Sequence, residues 1–143
     1  FKALDVEFTP EQMKQMTDFF PKLQNDFKNS APIYADMMLF HPMTSKEIKD
    51  RVKNDFADTN AQIGYGTLMN FMEYSMREAQ ILEKLNLPLN LINCDYFPTN
   101  EIGLENHCKS GYRIEIISDS GHYPMIEKTE EFNKSLENIL LTK

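Results

Sequence analysis

The chain lacks most of the features that would assign it quickly. It has two cysteines, Cys94 and Cys108, too few for a disulfide framework. They read as free thiols, which suits a reducing compartment and an expected cytoplasmic location. No apolar run approaches the roughly 20 residues that a membrane helix needs, so no membrane partner is expected. Basic residues are outnumbered, 15 against 22 acidic. The excess holds on both sides of Asn86, with 10 basic and 13 acidic residues before it and 5 and 9 after it. Without a basic patch to neutralise phosphates, nucleic acid is not an expected partner. The three histidines fall in separate segments, which argues against a metal cluster. Gly64-Tyr65-Gly66 follows no strand and precedes no lysine, so it is not a phosphate loop. The opening FKALDVEF has neither the apolar core nor the cleavage site of a signal peptide, and is expected to be a processed or truncated end.

What is present has globular composition, 41% hydrophobic and 26% charged, and changes character near Leu87. Everything before it reads as helix. Thr9-Pro10-Glu11-Gln12 is a start signal, with Thr9 as cap, Pro10 in the first turn and Gln12 closing a capping box. Met13, Met16, Phe19 and Phe20 follow at helical spacing, and Pro21 is expected to bend or end the helix. A second helix is expected over 31–40, broken by His41-Pro42. Thr44-Ser45-Lys46-Glu47 reads as a capping box opening a third, through Ile48, Val52 and Phe56. A fourth follows Asn60, and a last spans Met76 to Leu85. Met37, Met38, Met69 and Met72 fall on the apolar faces. Core packing is their default, with an adaptable apolar pocket as the alternative use.

After Leu87 the pattern is strand, helix, strand, helix. LPLNLIN (Leu87–Asn93) suits a strand buried on both faces, with Pro88 tolerated at its start. Thr99 to Cys108 reads as helix. Gly111 turns the chain into a second strand, YRIEII (Tyr112–Ile117). Ser118 to Pro124 is loop, and Thr129 is expected to cap a final helix with Glu130 and Glu131 in its first turn. Two strands joined through a helix should be parallel.

In open parallel sheets the chemistry sits beyond the carboxyl ends of the strands. Asp95 follows the first strand and His122 the second, so the two should emerge side by side. A carboxylate beside an imidazole fixes its tautomer and stabilises the imidazolium, which is what a histidine base requires. Asp95 has an alternative use, bonding nearby backbone N–H groups as aspartates do in turns. Asp119, His41 and His107 read as surface or satisfied residues.

Leu87–Thr99, then Ser120-Gly121-His122-Tyr123-Pro124-Met125-Ile126-Glu127 and Glu130-Glu131-Phe132-Asn133, resembles the end of an α/β-hydrolase. Those enzymes place Ser, then Asp or Glu, then His along the chain. The resemblance implies an α/β fold in which residues 1–86 form a helical cap and 87–143 the last strands and helices of a doubly wound, mostly parallel sheet. It implies ester or related acyl hydrolysis, with His122 as catalytic base and Asp95 as orienting acid, acting on a small apolar ester-like substrate without a cofactor. The Gly-x-Ser-x-Gly elbow is absent: none of Ser30, Ser45, Ser75, Ser110, Ser118, Ser120 or Ser135 has glycines two residues to either side. In the family the elbow precedes the cap, so the nucleophile, Ser or Asp, would lie in an N-terminal half outside this chain. Many relatives hold the acid where Phe97 stands, and others carry it on a strand upstream of the cap. The chain alone is then expected to be inactive. Its open sheet is expected to be covered by that missing half or by a second copy. The alternative is a hydrolase-like binding module that holds an apolar ligand under its helices without turnover.

Overall fold

The computed structural model describes residues 9–75 and 77–141, with the side chains of Gln12, Met13 and Met16 outside the described set. Among the described residues it is a mixed α/β structure with five helices, then a two-stranded parallel sheet with a helix between its strands, then two further helices. Helix α1 spans Pro10–Asn25. Pro21 removes one backbone donor but does not end the helix. Leu23, just beyond it, is buried with Phe27 and Ala31, and this packing holds the last turn in place. Helix α2, Phe27–Met38, begins four residues before the expected Ala31, because Phe27 itself enters that cluster. The Asp26 carboxylate, just ahead of the helix, accepts from the Asn29 side chain at 3.0 Å.

Helix α3 is Lys46–Asp58. Its cap is Ser45, whose hydroxyl accepts from the Ile48 amide at 3.3 Å, and not the Thr44–Glu47 box. Thr44 is drawn into other bonds described below. Helix α4, Ala61–Ser75, starts where expected, the Asn60 side-chain Oδ1 accepting from the Gln62 and Ile63 amides at 3.1 and 3.2 Å. Helix α5, Glu78–Leu82, is shorter than the expected segment. The core default fails for the methionines of α2: Met37 and Met38 are 67% and 45% exposed.

Strand β1 is Leu89–Cys94 and β2 is Tyr112–Ile117, parallel from Leu89 opposite Tyr112 to Cys94 opposite Ile117. Gly111, at φ +86°, makes the turn into β2, a backbone that side chains disfavour. Helix α6, Glu101–His107, connects the strands and is capped by Asn100, whose side chain accepts from the Gly103 amide at 3.0 Å. One sheet face carries Leu89, Leu91, Tyr112 and Ile114 onto Leu82 of α5 and Leu104 and Cys108 of the connecting segment. Helix α7, Pro124–Glu127, and helix α8, Thr129–Leu141, complete the chain, and α8 lies against both strands. Thr129 does not cap α8. Its hydroxyl donates back to the Met125 carbonyl at 3.0 Å. Of β1, only Leu91 and Cys94 are fully buried, less than a central strand of a large parallel sheet.

The helical half and the sheet half share a core. Ala35 of α2, Leu39 just beyond it and Val52 of α3 pack against Tyr123 and Ile126. That contact brings the turn between α2 and α3 onto the loop that follows β2. No described helix is long and apolar enough to cross a membrane.

Candidate functional site

The loops that leave the carboxyl ends of β1 and β2 bring Asp95, Tyr96 and His122 to one end of the sheet. The Asp95 carboxylate accepts from the Asp119 backbone N–H at 3.0 Å. The Asp119 and Ser120 amides hold this carboxyl below the usual aspartate range, the Asp119 bond contributing most. Asp119 itself adopts a left-handed backbone, φ 54°, which Asp tolerates better than most residues. Asp95 thus fastens the turn after β2, the alternative use open to it from sequence.

Tyr96 is a neighbour of the His122 imidazole. Its hydroxyl lies 3.1 Å from Nδ1. Burial, followed by the nearby Cys94, pushes the Tyr96 phenol up to about 12. It stays protonated across the physiological range, as a hydrogen-bonding partner and not as a charge. The Tyr123 ring meets the His122 ring edge-on, with centroids 5.1 Å apart. A shallow pocket of about 200 Å³ opens beside the imidazole, lined by Ile92, Cys94, Tyr96, Pro124, Met125 and Phe132 among others. Cys94 and Cys108 are buried thiols outside any disulfide, and burial raises the Cys108 thiol.

The His122 loop is held by three consecutive amides, those of Gly121, His122 and Tyr123. The Gly121 N–H donates to Glu127 Oε2 at 3.0 Å, the His122 N–H to the Leu39 carbonyl at 2.8 Å, and the Tyr123 N–H to Glu127 Oε1 at 3.3 Å. Glu127 Oε2 also accepts from the Thr44 hydroxyl at 2.6 Å. Thr44 Oγ1 in turn accepts from the His41 N–H at 3.0 Å. A side chain at position 121 would not fit: a Cβ there would lie 2.5 Å from the Leu39 carbonyl oxygen and 2.8 Å from the His41 nitrogen. Glycine is therefore required by the close approach of two backbones.

The remaining histidines have local uses. His41 Nδ1 accepts from the Met43 amide at 3.0 Å, and His107 Nδ1 lies 2.8 Å from Glu83 Oε1. Among the described residues no three His, Cys, Asp or Glu side chains converge as metal ligands. Ser120 is fully buried, and its hydroxyl has no partner among the described residues. Sequence reasoning passed over Tyr96, Thr44 and Glu127. Glu127 had a signal, since it closes the Ser120–Glu127 stretch that carries the resemblance. Thr44 was obscured by its place in an apparent capping box, and Tyr96 had no local signal.

The chain matches no family model, no curated protein and no solved structure.

Proposed function

We propose that this chain is the C-terminal part of a capped α/β-hydrolase and supplies its histidine. The observation that carries the proposal is the setting of His122. The imidazole leaves the carboxyl end of a parallel strand on a loop whose Gly121, His122 and Tyr123 amides are all bonded, and faces an open pocket of about 200 Å³. A general base needs such fixed placement beside space for a substrate. In this reading a nucleophile from outside the chain attacks an ester-type carbonyl. His122 takes its proton and then gives it to the leaving group. The two strands would be the edge of a larger doubly wound sheet, consistent with the rarity of small isolated parallel sheets. Asp95 fastens the turn after β2, which supports placing the acid on an upstream strand, and Tyr96 bonds Nδ1 in this arrangement.

The test is hydrolysis of an activated ester by a longer protein containing this chain and by the 143-residue chain alone. The longer protein should turn the ester over and the chain alone should not, because nucleophile and base act as a unit. Turnover by the chain alone that depended on His122 would overturn the proposal.

A second reading, a binding module without turnover, is favoured by one observation. An apolar groove of about 380 Å³ runs between α2, α3 and α4, lined by Phe27, Tyr34, Phe56, Ile63, Leu68 and Phe71 among others. Saturable binding of an apolar fluorophore, lost in Phe71→Asp, together with no ester turnover by the longer protein, would favour it over the hydrolase.

A further inference from the structure

The bonds around Glu127 go beyond placing one loop. Its two carboxylate oxygens gather three donors: the Gly121 and Tyr123 amides on either side of His122, and the Thr44 hydroxyl from the turn between α2 and α3. Thr44 is buried, and its oxygen also receives the His41 amide, so it is fixed from its own side. The His122 amide, between those two, goes to Leu39 in the same turn region. Gly121 lets the two backbones approach until no Cβ would fit between them. A carboxylate that accepts from several donors at once makes strong, charge-assisted bonds with fixed geometry. The Thr44–Glu127 and His122–Leu39 bonds join residues that are far apart in sequence and belong to different halves of the fold.

We propose that Glu127 is a positioning residue that couples the α2–α3 turn to the His122 loop, so that the orientation of the imidazole depends on the helical half. A shift of that turn pulls on Glu127 through Thr44 and on His122 through Leu39. The loop then follows, and with it the contact between His122 Nδ1 and the Tyr96 hydroxyl. The helical half is thereby a control on the histidine as well as a cover beside it. The coupling concerns the placement of the ring and stands whether or not His122 transfers protons.

The experiment uses the full 143-residue chain, with amide hydrogen exchange and the ring resonances of His122 followed by NMR. Thr44→Val removes the hydroxyl and leaves the carboxylate in place. It should speed exchange at Gly121 and Tyr123 by about tenfold and shift the His122 ring resonances, while the amides of β1 keep their wild-type rates. Thr44→Ser, which retains the hydroxyl, should restore both. Glu127→Gln should produce the same changes, and adding Thr44→Val to it should change nothing further, because both act through one link. If Glu127→Gln does not fold, the Thr44 pair decides alone. The proposal is overturned if Thr44→Val leaves Gly121 and Tyr123 within about twofold of wild type, or speeds β1 equally. It is also overturned if the two substitutions multiply independently or if Thr44→Ser fails to rescue.

Discussion

The Tyr96 hydroxyl lies 3.1 Å from Nδ1 of His122, in the place where a triad carboxylate was expected. Which of the two atoms carries the proton depends on the imidazole tautomer. A neutral phenol can hold one tautomer by hydrogen bonding but cannot stabilise an imidazolium as a carboxylate does.

Tyr96 should therefore leave a mark on alkaline stability. Its phenol titrates near 12 when folded, above the value of about 10 for an unperturbed tyrosine. A raised pKa gives stability that is complete below about pH 10 and is lost as pH climbs through about 12. Tyr34 and Tyr123, raised by burial, add to the same trend. Denaturant unfolding across this range should show a shallower loss in Tyr96→Phe than in wild type. Equal slopes would contradict the assignment.

Asp95 should act at the opposite end of the scale. Its carboxyl is held low chiefly by the Asp119 amide, so its contribution is complete above the ordinary aspartate pKa of about 4 and is lost as pH falls further. Asp95→Asn should flatten the acid limb of the stability curve. In a hydrolase containing this chain it should reduce kcat by much less than the loss on the order of 10⁴ that follows removal of a triad acid's charge. A loss of that size would return Asp95 to the acid's role.

Gly121→Ala tests the contact between the halves. The new methyl would meet backbone atoms of Leu39 and His41, which cannot rotate away. A cost of about 1–3 kcal/mol is expected from denaturant unfolding. A neutral substitution would mean that the two turns separate easily.

How much of this was legible in the chain depended on whether the signal was local. Strand Tyr112–Ile117 was legible to the residue, because Gly111 precedes it and a polar loop follows. The starts at Pro10 and Asn60 were legible because a capping side chain or a proline acts on its own next turn. Thr44 misled, and Pro21 did not end its helix, for the opposite reason. The helix continues past Pro21 because Leu23 and Phe27 find a core, and Thr44 forgoes the box because Glu127, distant in sequence, offers a better bond. The sheet end shows the same limit. Spacing brought Asp95 and His122 to adjacent strand ends, but only the folded loops decide that Asp95 bonds Asp119 while Tyr96 meets the imidazole.

The sheet leaves a prediction about assembly. Only β1 and β2 pair among the described residues, and Ile116, Leu140 and Leu141 are exposed nearby in β2 and α8. Unpaired strand edges beside apolar surface favour association. Light scattering of the isolated chain should report a dimer or larger species. A compact, stable monomer would weaken the proposal that a further part of the sheet covers this surface.

The most direct test of the central claim is kcat for His122→Ala in a hydrolase that contains this chain, with circular dichroism to confirm the fold. If His122 is the base, kcat should fall by several orders of magnitude, roughly as for removal of a triad member, while the spectrum is unchanged. A folded variant with wild-type kcat would remove His122 from the chemistry and contradict the account.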